Sequence, residues 1–243
     1  MFYPEKQEFV ELSKKGNLIP VALKLLADFE TPLSAYTKIR GKSEAFLLES
    51  VEGGERIGRY SFVGCNPAKV IRQIGNQVEV KSKDKIESTY TVVQSPKNKN
   101  EVRDGLEVIQ RIMARYKPVL IPGLPRFSGG AVGYIGYEFI HDIEPVVPRP
   151  PNDELKTPVI YFLIAGELLV FDRATQTLTI LVNVFTDNYS SPDKAYDDAV
   201  EKIKRIMAIL QKPVSSSIRF FQIKSLMFQH PQIRQKKNSS RMS

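Results

Sequence analysis

The chain has 243 residues, with 35 Lys and Arg against 27 Asp and Glu, a formal charge of +8. Its 42% hydrophobic and 26% charged content suits a globular protein with one large or two small cores. No apolar run approaches the about 18 residues that cross a bilayer. The start Met1-Phe2-Tyr3-Pro4-Glu5-Lys6 lacks the basic-then-apolar order of a secretory signal, so a cytoplasmic protein without a membrane partner is expected.

The positive charge is not arranged for nucleic acid. Residues 214–243 hold six basic and no acidic residues, which leaves 29 of the 35 basic residues against all 27 acidic ones in residues 1–213. A nearly neutral body lacks the basic stripe of a nucleic-acid domain. The segment 214–243, with its seven serines, reads as a separate basic tail, disordered or out of frame, after a domain over residues 1–213. Cys65 is the sole cysteine, so no internal disulfide forms, and no histidine lies near it in sequence to activate it. It reads as structural. His141 and His230 match no metal-ligand spacing with Cys65.

Along the chain, Phe9 and Leu12 begin a helix that stops at Gly16-Asn17. Val21, Leu25 and Phe29 then recur every four residues and predict a second amphipathic helix, with Pro20 in its first turn and Pro32 ending it. From Ser34 to Val80 the pattern predicts strands: Ala45 to Leu48, Tyr60 to Val63, and a hairpin of Lys69–Ile74 and Gln77–Val80 around Gly75-Asn76. Residues 81–101 read as an exposed polar loop interrupted by the β-branched run Tyr90 to Val93.

Val102 to Tyr116 predicts a helix with Leu106, Ile109, Met113 and Tyr116 on one side, and Pro118, Pro122 and Pro125 an extended connection. Strands are expected over Val159–Leu163, Glu167–Phe171 and Leu178–Phe185, with a turn at Arg173–Gln176, and a final helix over Asp193–Leu210. This irregular mixture predicts an α+β fold of mixed, mainly antiparallel sheets flanked by helices.

The glycines at 129, 130, 133 and 136 match neither a P-loop nor a dinucleotide fingerprint. They read as sites where a strand approaches its neighbour closely. His141-Asp142 has the residue types of a charge relay, but sequence neighbours seldom face each other, so it reads as a solvated turn.

Four segments resemble anthranilate synthase component I, in order and at suitable spacing. They are Gly16-Asn17-Leu18-Ile19-Pro20-Val21 with Thr31-Pro32-Leu33-Ser34-Ala35-Tyr36; Phe46-Leu47-Leu48-Glu49-Ser50; Gly58-Arg59-Tyr60-Ser61-Phe62-Val63-Gly64; and the run Phe127 to Glu138. The resemblance covers residues 1–212 and implies the N-terminal regulatory part of a family that converts chorismate, with ammonia or glutamine-derived ammonia, into anthranilate and pyruvate.

In that family the chorismate and magnesium sites lie in the C-terminal half, to which nothing here corresponds. The resemblance therefore implies no catalytic residue, metal site or cofactor in this chain, and no chorismate chemistry from it alone. It implies L-tryptophan as effector and a glutamine amidotransferase subunit, component II, as partner. Carried over residue by residue, Leu48, Glu49, Ser50, Arg59, Tyr60 and Ser61 line the tryptophan pocket. A carboxylate suits the effector's ammonium, a hydroxyl its polar groups, and Arg59 its carboxylate. From chemistry alone, Glu49-Ser50 ahead of Gly53-Gly54 reads as a strand end entering a turn, and only the resemblance favours the pocket. An aminodeoxychorismate synthase component and a free-standing amino-acid-binding or interaction module are the alternative functions.

Overall fold

The computed structural model describes residues 1–41, 43–49, 58–83, 85–144, 146–148 and 156–213. They form two six-stranded, mainly antiparallel sheets flanked by helices. Sheet A has the order β1 (Phe2–Tyr3), β2 (Leu18–Leu26), β12 (Thr177–Phe185), β11 (Glu167–Asp172), β4 (Tyr60–Cys65), β3 (Phe46–Glu49). Sheet B has the order β8 (Glu101–Val102), β7 (Lys85–Val92), β6 (Gln77–Ser82), β5 (Lys69–Ile74), β10 (Ile160–Ile164), β9 (Ala131–Ile135). The α+β expectation is met.

Strand alternation divides the core. One face of sheet A, including Ile19, Val21, Val63, Leu169, Ile180 and Val182, packs under α1 (Lys6–Ser13), α2 (Pro32–Ile39) and α5 (Pro192–Leu210). The other face buries Ala22, Leu168, Val170 and Leu181 against Phe46, Phe62, Leu124 and Phe127. In sheet B, Ile71, Val78, Val80 and Ile164 pack on Val108 and Ile112 of α3 (Gly105–Met113). A short α4 spans Ile140–Ile143.

The predicted helix over Val21, Leu25 and Phe29 is a strand instead. β2 has Ile19, Val21 and Leu23 on one face and Ala22 on the other, buried on both sides. Two-sided burial gives a continuous apolar run, in which a spacing of four fits a strand as well as a helix. Pro20 sits within β2 opposite Asn183, because the Asn183 N–H turns away toward the Gly166 carbonyl at 2.8 Å. That pair therefore exchanges no hydrogen bonds, and the donor missing from Pro20 faces the sheet margin.

Pro32 begins a helix rather than ending one. Thr31 caps α2 by accepting from the Ser34 N–H, and the Ser34 hydroxyl accepts from the Thr31 N–H at 2.9 Å, a reciprocal box that presets the first turn. Residues 34–39 are thus helical, not strand. The expected polar loop after residue 81 carries β7, half exposed on the outside of β6. The hairpin around Gly75 is present, with Gly75 at φ +56°. A glycine in the first loop position suits the left-handed backbone required there.

The close-approach reading of the glycine run holds at Gly133. It faces Phe162 across the β9–β10 ladder, and a Cβ there would lie 1.9 Å from the Tyr161 carbonyl oxygen and 2.7 Å from the Phe162 Cα. Both are backbone atoms and cannot swing aside. Gly133→Ala is expected to cost about 2–3 kcal/mol by forcing β9 off its register, measured as a lower urea midpoint. A loss under about 0.5 kcal/mol, the size of an ordinary surface change, would refute the steric account.

Candidate functional site

The end of sheet A where β3 finishes gathers most of the residues expected to bind an effector. Glu49 pairs with Ser61 across β3–β4, and Ser61 with Phe171 across β4–β11. Tyr60 lies opposite Asp172. Because side chains alternate along a strand, Glu49 and Ser61 point to the helix-covered face, while Leu48 and Tyr60 point to the other. The structure therefore divides the predicted set into two clusters rather than one lining. Ser50 lies outside the described residues.

On the helix-covered face, Arg173 donates from Nη2 to Glu49 Oε1 at 2.7 Å and to the buried Ser61 Oγ at 3.3 Å. The Arg173 backbone is pinned there by its N–H bond to the Arg59 carbonyl at 2.9 Å. On the opposite face, Arg59 grips Asp172 through Nε at 2.9 Å and Nη2 at 2.7 Å, with its guanidinium 4.9 Å from the Tyr60 ring centroid. Leu48, on the same face, is 45% exposed.

The two ion pairs differ in kind. Arg173–Glu49 is a single contact between side chains 44% and 34% exposed, worth about 0–1 kcal/mol in water. Arg59–Asp172 is two-pronged, and Asp172 also accepts from the Ala174 N–H at 3.1 Å. Its carboxyl is held down to about 2, first by the hydrogen bond from Arg59. The pair with Asp172 locks the strand end, whereas the pair with Glu49 is easily opened. Sequence reading missed Arg173 and Asp172 as site residues, although it placed Arg173 correctly in a turn. Their partners are 124 and 113 positions away, and only the β3–β4–β11 pairing brings them together.

The opposite end of sheet A holds a second polar group. Glu167, 4% exposed, accepts from Asn66 Nδ2 at 2.7 Å and Arg205 Nη2 at 2.8 Å. Cys65 lies 3.7 Å from the same carboxylate. Burial first, and then Glu167, push its thiol well above the ordinary range, so it stays protonated and inert, in accord with a structural role. Beside this group opens a cavity of about 390 Å³ between sheet A, the β6–β7 turn and α5. Elsewhere, His141 and Asp142 lie in the short helix α4, not a turn. Asp142 accepts from the buried Gln73 at 2.6 Å, while His141 Nδ1 meets the Val147 carbonyl at 3.2 Å.

This architecture defines an α+β protein with polar clusters at both ends of a sheet buried on both faces. By sequence the chain is a relative of anthranilate synthase component 1. It is 38% identical over 206 residues to that protein from Acetivibrio thermocellus, covering 85% of this chain and 39% of the relative. To that of Neisseria meningitidis serogroup B it is 37% identical over 214 residues, 85% of this chain and 40% of the relative. A probable anthranilate synthase component 1 of Schizosaccharomyces pombe is 34% identical over 214 residues, 87% of this chain and 38% of the relative.

The chain thus spans about 40% of the length of the curated relatives it matches. A solved anthranilate synthase component I from Streptococcus pneumoniae TIGR4 aligns at a TM-score of 0.47 with 20% identity, over 78% of this chain and 37% of that one. No protein-family model matches. Among the described residues, no helix is long and apolar enough to cross a membrane.

The depressed carboxyl of Asp172 sets a pH dependence. A folded pKa of about 2, against about 3.9 unfolded, makes its contribution complete above pH ~4 and lost as pH falls through ~2. Urea midpoints measured across that window should fall less steeply for Asp172→Asn than for the parent. Parallel slopes would show that Arg59–Asp172 contributes nothing to acid stability.

Proposed function

We propose that this chain is the effector-binding portion of an anthranilate synthase component 1, with free L-tryptophan as effector at the Glu49–Arg173–Ser61 end of sheet A. The observation that carries the reading is a carboxylate and a guanidinium 2.7 Å apart, both partly exposed, beside a buried hydroxyl. A free amino acid carries the complementary charges. Its ammonium pairs with Glu49 and its carboxylate with Arg173, each charge-assisted hydrogen bond replacing half of a pair that costs about 1 kcal/mol or less to open.

Arg59 is engaged by Asp172 on the other face, so the carboxylate-binding role that its guanidinium chemistry suggested passes in this proposal to Arg173. Leu48 and Tyr60 contribute by holding that strand end, and Ser50 joins Glu49 by its place in the motif. The reading places the chain in cytoplasmic tryptophan biosynthesis, in a protein that works with a glutamine amidotransferase subunit on chorismate. Chorismate and magnesium chemistry is then the task of other residues than those named here.

Calorimetric titration tests this with three ligands: L-tryptophan, tryptamine, which lacks the carboxylate, and indole-3-propionate, which lacks the ammonium. L-Tryptophan should bind saturably and at least about tenfold more weakly to Glu49→Ala and Arg173→Ala, as expected for one charged hydrogen bond. Arg173→Ala should not weaken tryptamine binding, nor Glu49→Ala that of indole-3-propionate, since each deletion also removes the pair that the ligand must open. Absence of L-tryptophan binding by a sample folded by circular dichroism would sink the reading.

A further inference from the structure

The cavity at the other end of sheet A lies far along β3, β4 and β11 from Glu49, and nothing in the preceding reading uses it. Three elements bring cations to it: Lys81 from the end of β6, Lys83 from the β6–β7 turn, and Lys202 and Arg205 from α5. The carboxylates among its lining residues are Glu44 and Glu167. Glu167 is already satisfied by Arg205 and Asn66, and Glu44 accepts from the Tyr161 hydroxyl at 3.3 Å. The surplus is therefore positive and faces into a recess, where low-dielectric walls focus the field.

The donors have capacity to spare. Arg205 spends one nitrogen on Glu167, and a guanidinium has five N–H groups. Lys81 approaches Glu79 only at 4.0 Å. Lys202 pairs with Asp198 at 2.7 Å and donates to the Tyr189 hydroxyl at 3.2 Å. Burial disfavours its charge, but those two bonds outweigh it and leave the ammonium more firmly protonated. Lys83 makes no ion pair with a described residue, and its charge is the smallest of the effects that hold the Asp198 carboxyl down.

Lys83 also sits at φ +48°, a left-handed turn position that asparagine or glycine adopts at lower cost. A residue held in a disfavoured conformation beside a cavity is the kind of strain that accompanies a functional site. Val70, Val182 and Phe185 add an apolar wall, and the volume, about 390 Å³, falls within the small-molecule range.

We propose that this cavity binds a small organic anion, its carboxylate or phosphate group held by Lys81, Lys83 and Arg205 and its apolar body set against Val70, Val182 and Phe185. The site is independent of the effector site at Glu49. Its lysines supply charge from a mobile stem and Arg205 supplies a planar fork, a combination that accepts either anion type.

The test is titration of the full chain at low salt with phenyl phosphate and with phenylacetate, reading binding and melting temperature together. The parent should bind at least one of them saturably, and added salt should weaken it. Binding of phenyl phosphate alone assigns a phosphate ester, and of phenylacetate alone a carboxylate. Lys83→Asn should weaken binding at least about tenfold while keeping or raising the melting temperature, because asparagine relieves the turn. Adding Lys81→Gln should weaken it further. Glu49→Ala should leave it unchanged. Failure of both probes on the parent, or undiminished binding in Lys83→Asn, would overturn the proposal.

Discussion

Burial of β11 and β12 on both faces is the constraint from which the rest of the structure follows. Five consecutive residues of β11, Glu167 to Phe171, are buried, as are all but one of the nine in β12. Each fully buried Val, Leu or Ile contributes about 1.5–3 kcal/mol, whereas an unpaired charge in the same place would cost more than that. Charged chemistry in sheet A is therefore driven to the strand ends. Asp172 and Arg173 emerge at one end and Glu167 marks the other. Glu167 is tolerated in the interior because Asn66 and Arg205 satisfy both of its oxygens.

The same constraint explains which parts were readable from the residues. α5 announced itself because its buried Ala199, Ile203 and Ile206 recur at helical spacing against a polar remainder. β10, β11 and β12 were legible as short apolar runs bounded by turns. β2 was not, since a strand covered on both faces loses its alternation, and proline inside it looked like a helix start. The start of α2 is legible in principle, because Thr31, Pro32 and Ser34 form a capping signature, but a proline ends a preceding helix as readily as it begins a new one. In both places pairing with β12 or a cap outweighs the local cue.

At the candidate site the motif containing Glu49 ends on β3, but the motif does not carry the geometry found there. Which side of the sheet a residue occupies depends on register, and a shift of one residue exchanges the faces. The register that places Glu49 opposite Ser61, and Tyr60 opposite Asp172, is enforced by packing further along β4. A Cβ at Gly64 would lie 2.1 Å from Cε1 of Phe46. Only glycine leaves room for that ring, which in turn helps bury the face opposite the helices with Phe62 and Phe127. The face assignment of Glu49 thus rests on a glycine and a phenylalanine that carry no chemistry of their own.

The contrast between the two arginines follows from the same strand end. Arg59 and Arg173 are linked by one backbone hydrogen bond, so fixing one positions the other. Two bonds to Asp172, itself tied to the turn through the Ala174 N–H, make Arg59 the anchor. Its displacement would leave a mostly buried carboxylate without its principal donor, a loss larger than that of an exposed pair. Arg173 is held at its backbone but bound at its tip by a single partly exposed contact. A rigid base with a loosely engaged head suits exchange of partners, because the ordering entropy of the backbone is already spent before a ligand arrives. Asp172 in this sense holds the Arg173 backbone in place, acting through Arg59 and the turn, while the Glu49–Arg173 pair is the contact that costs little to open.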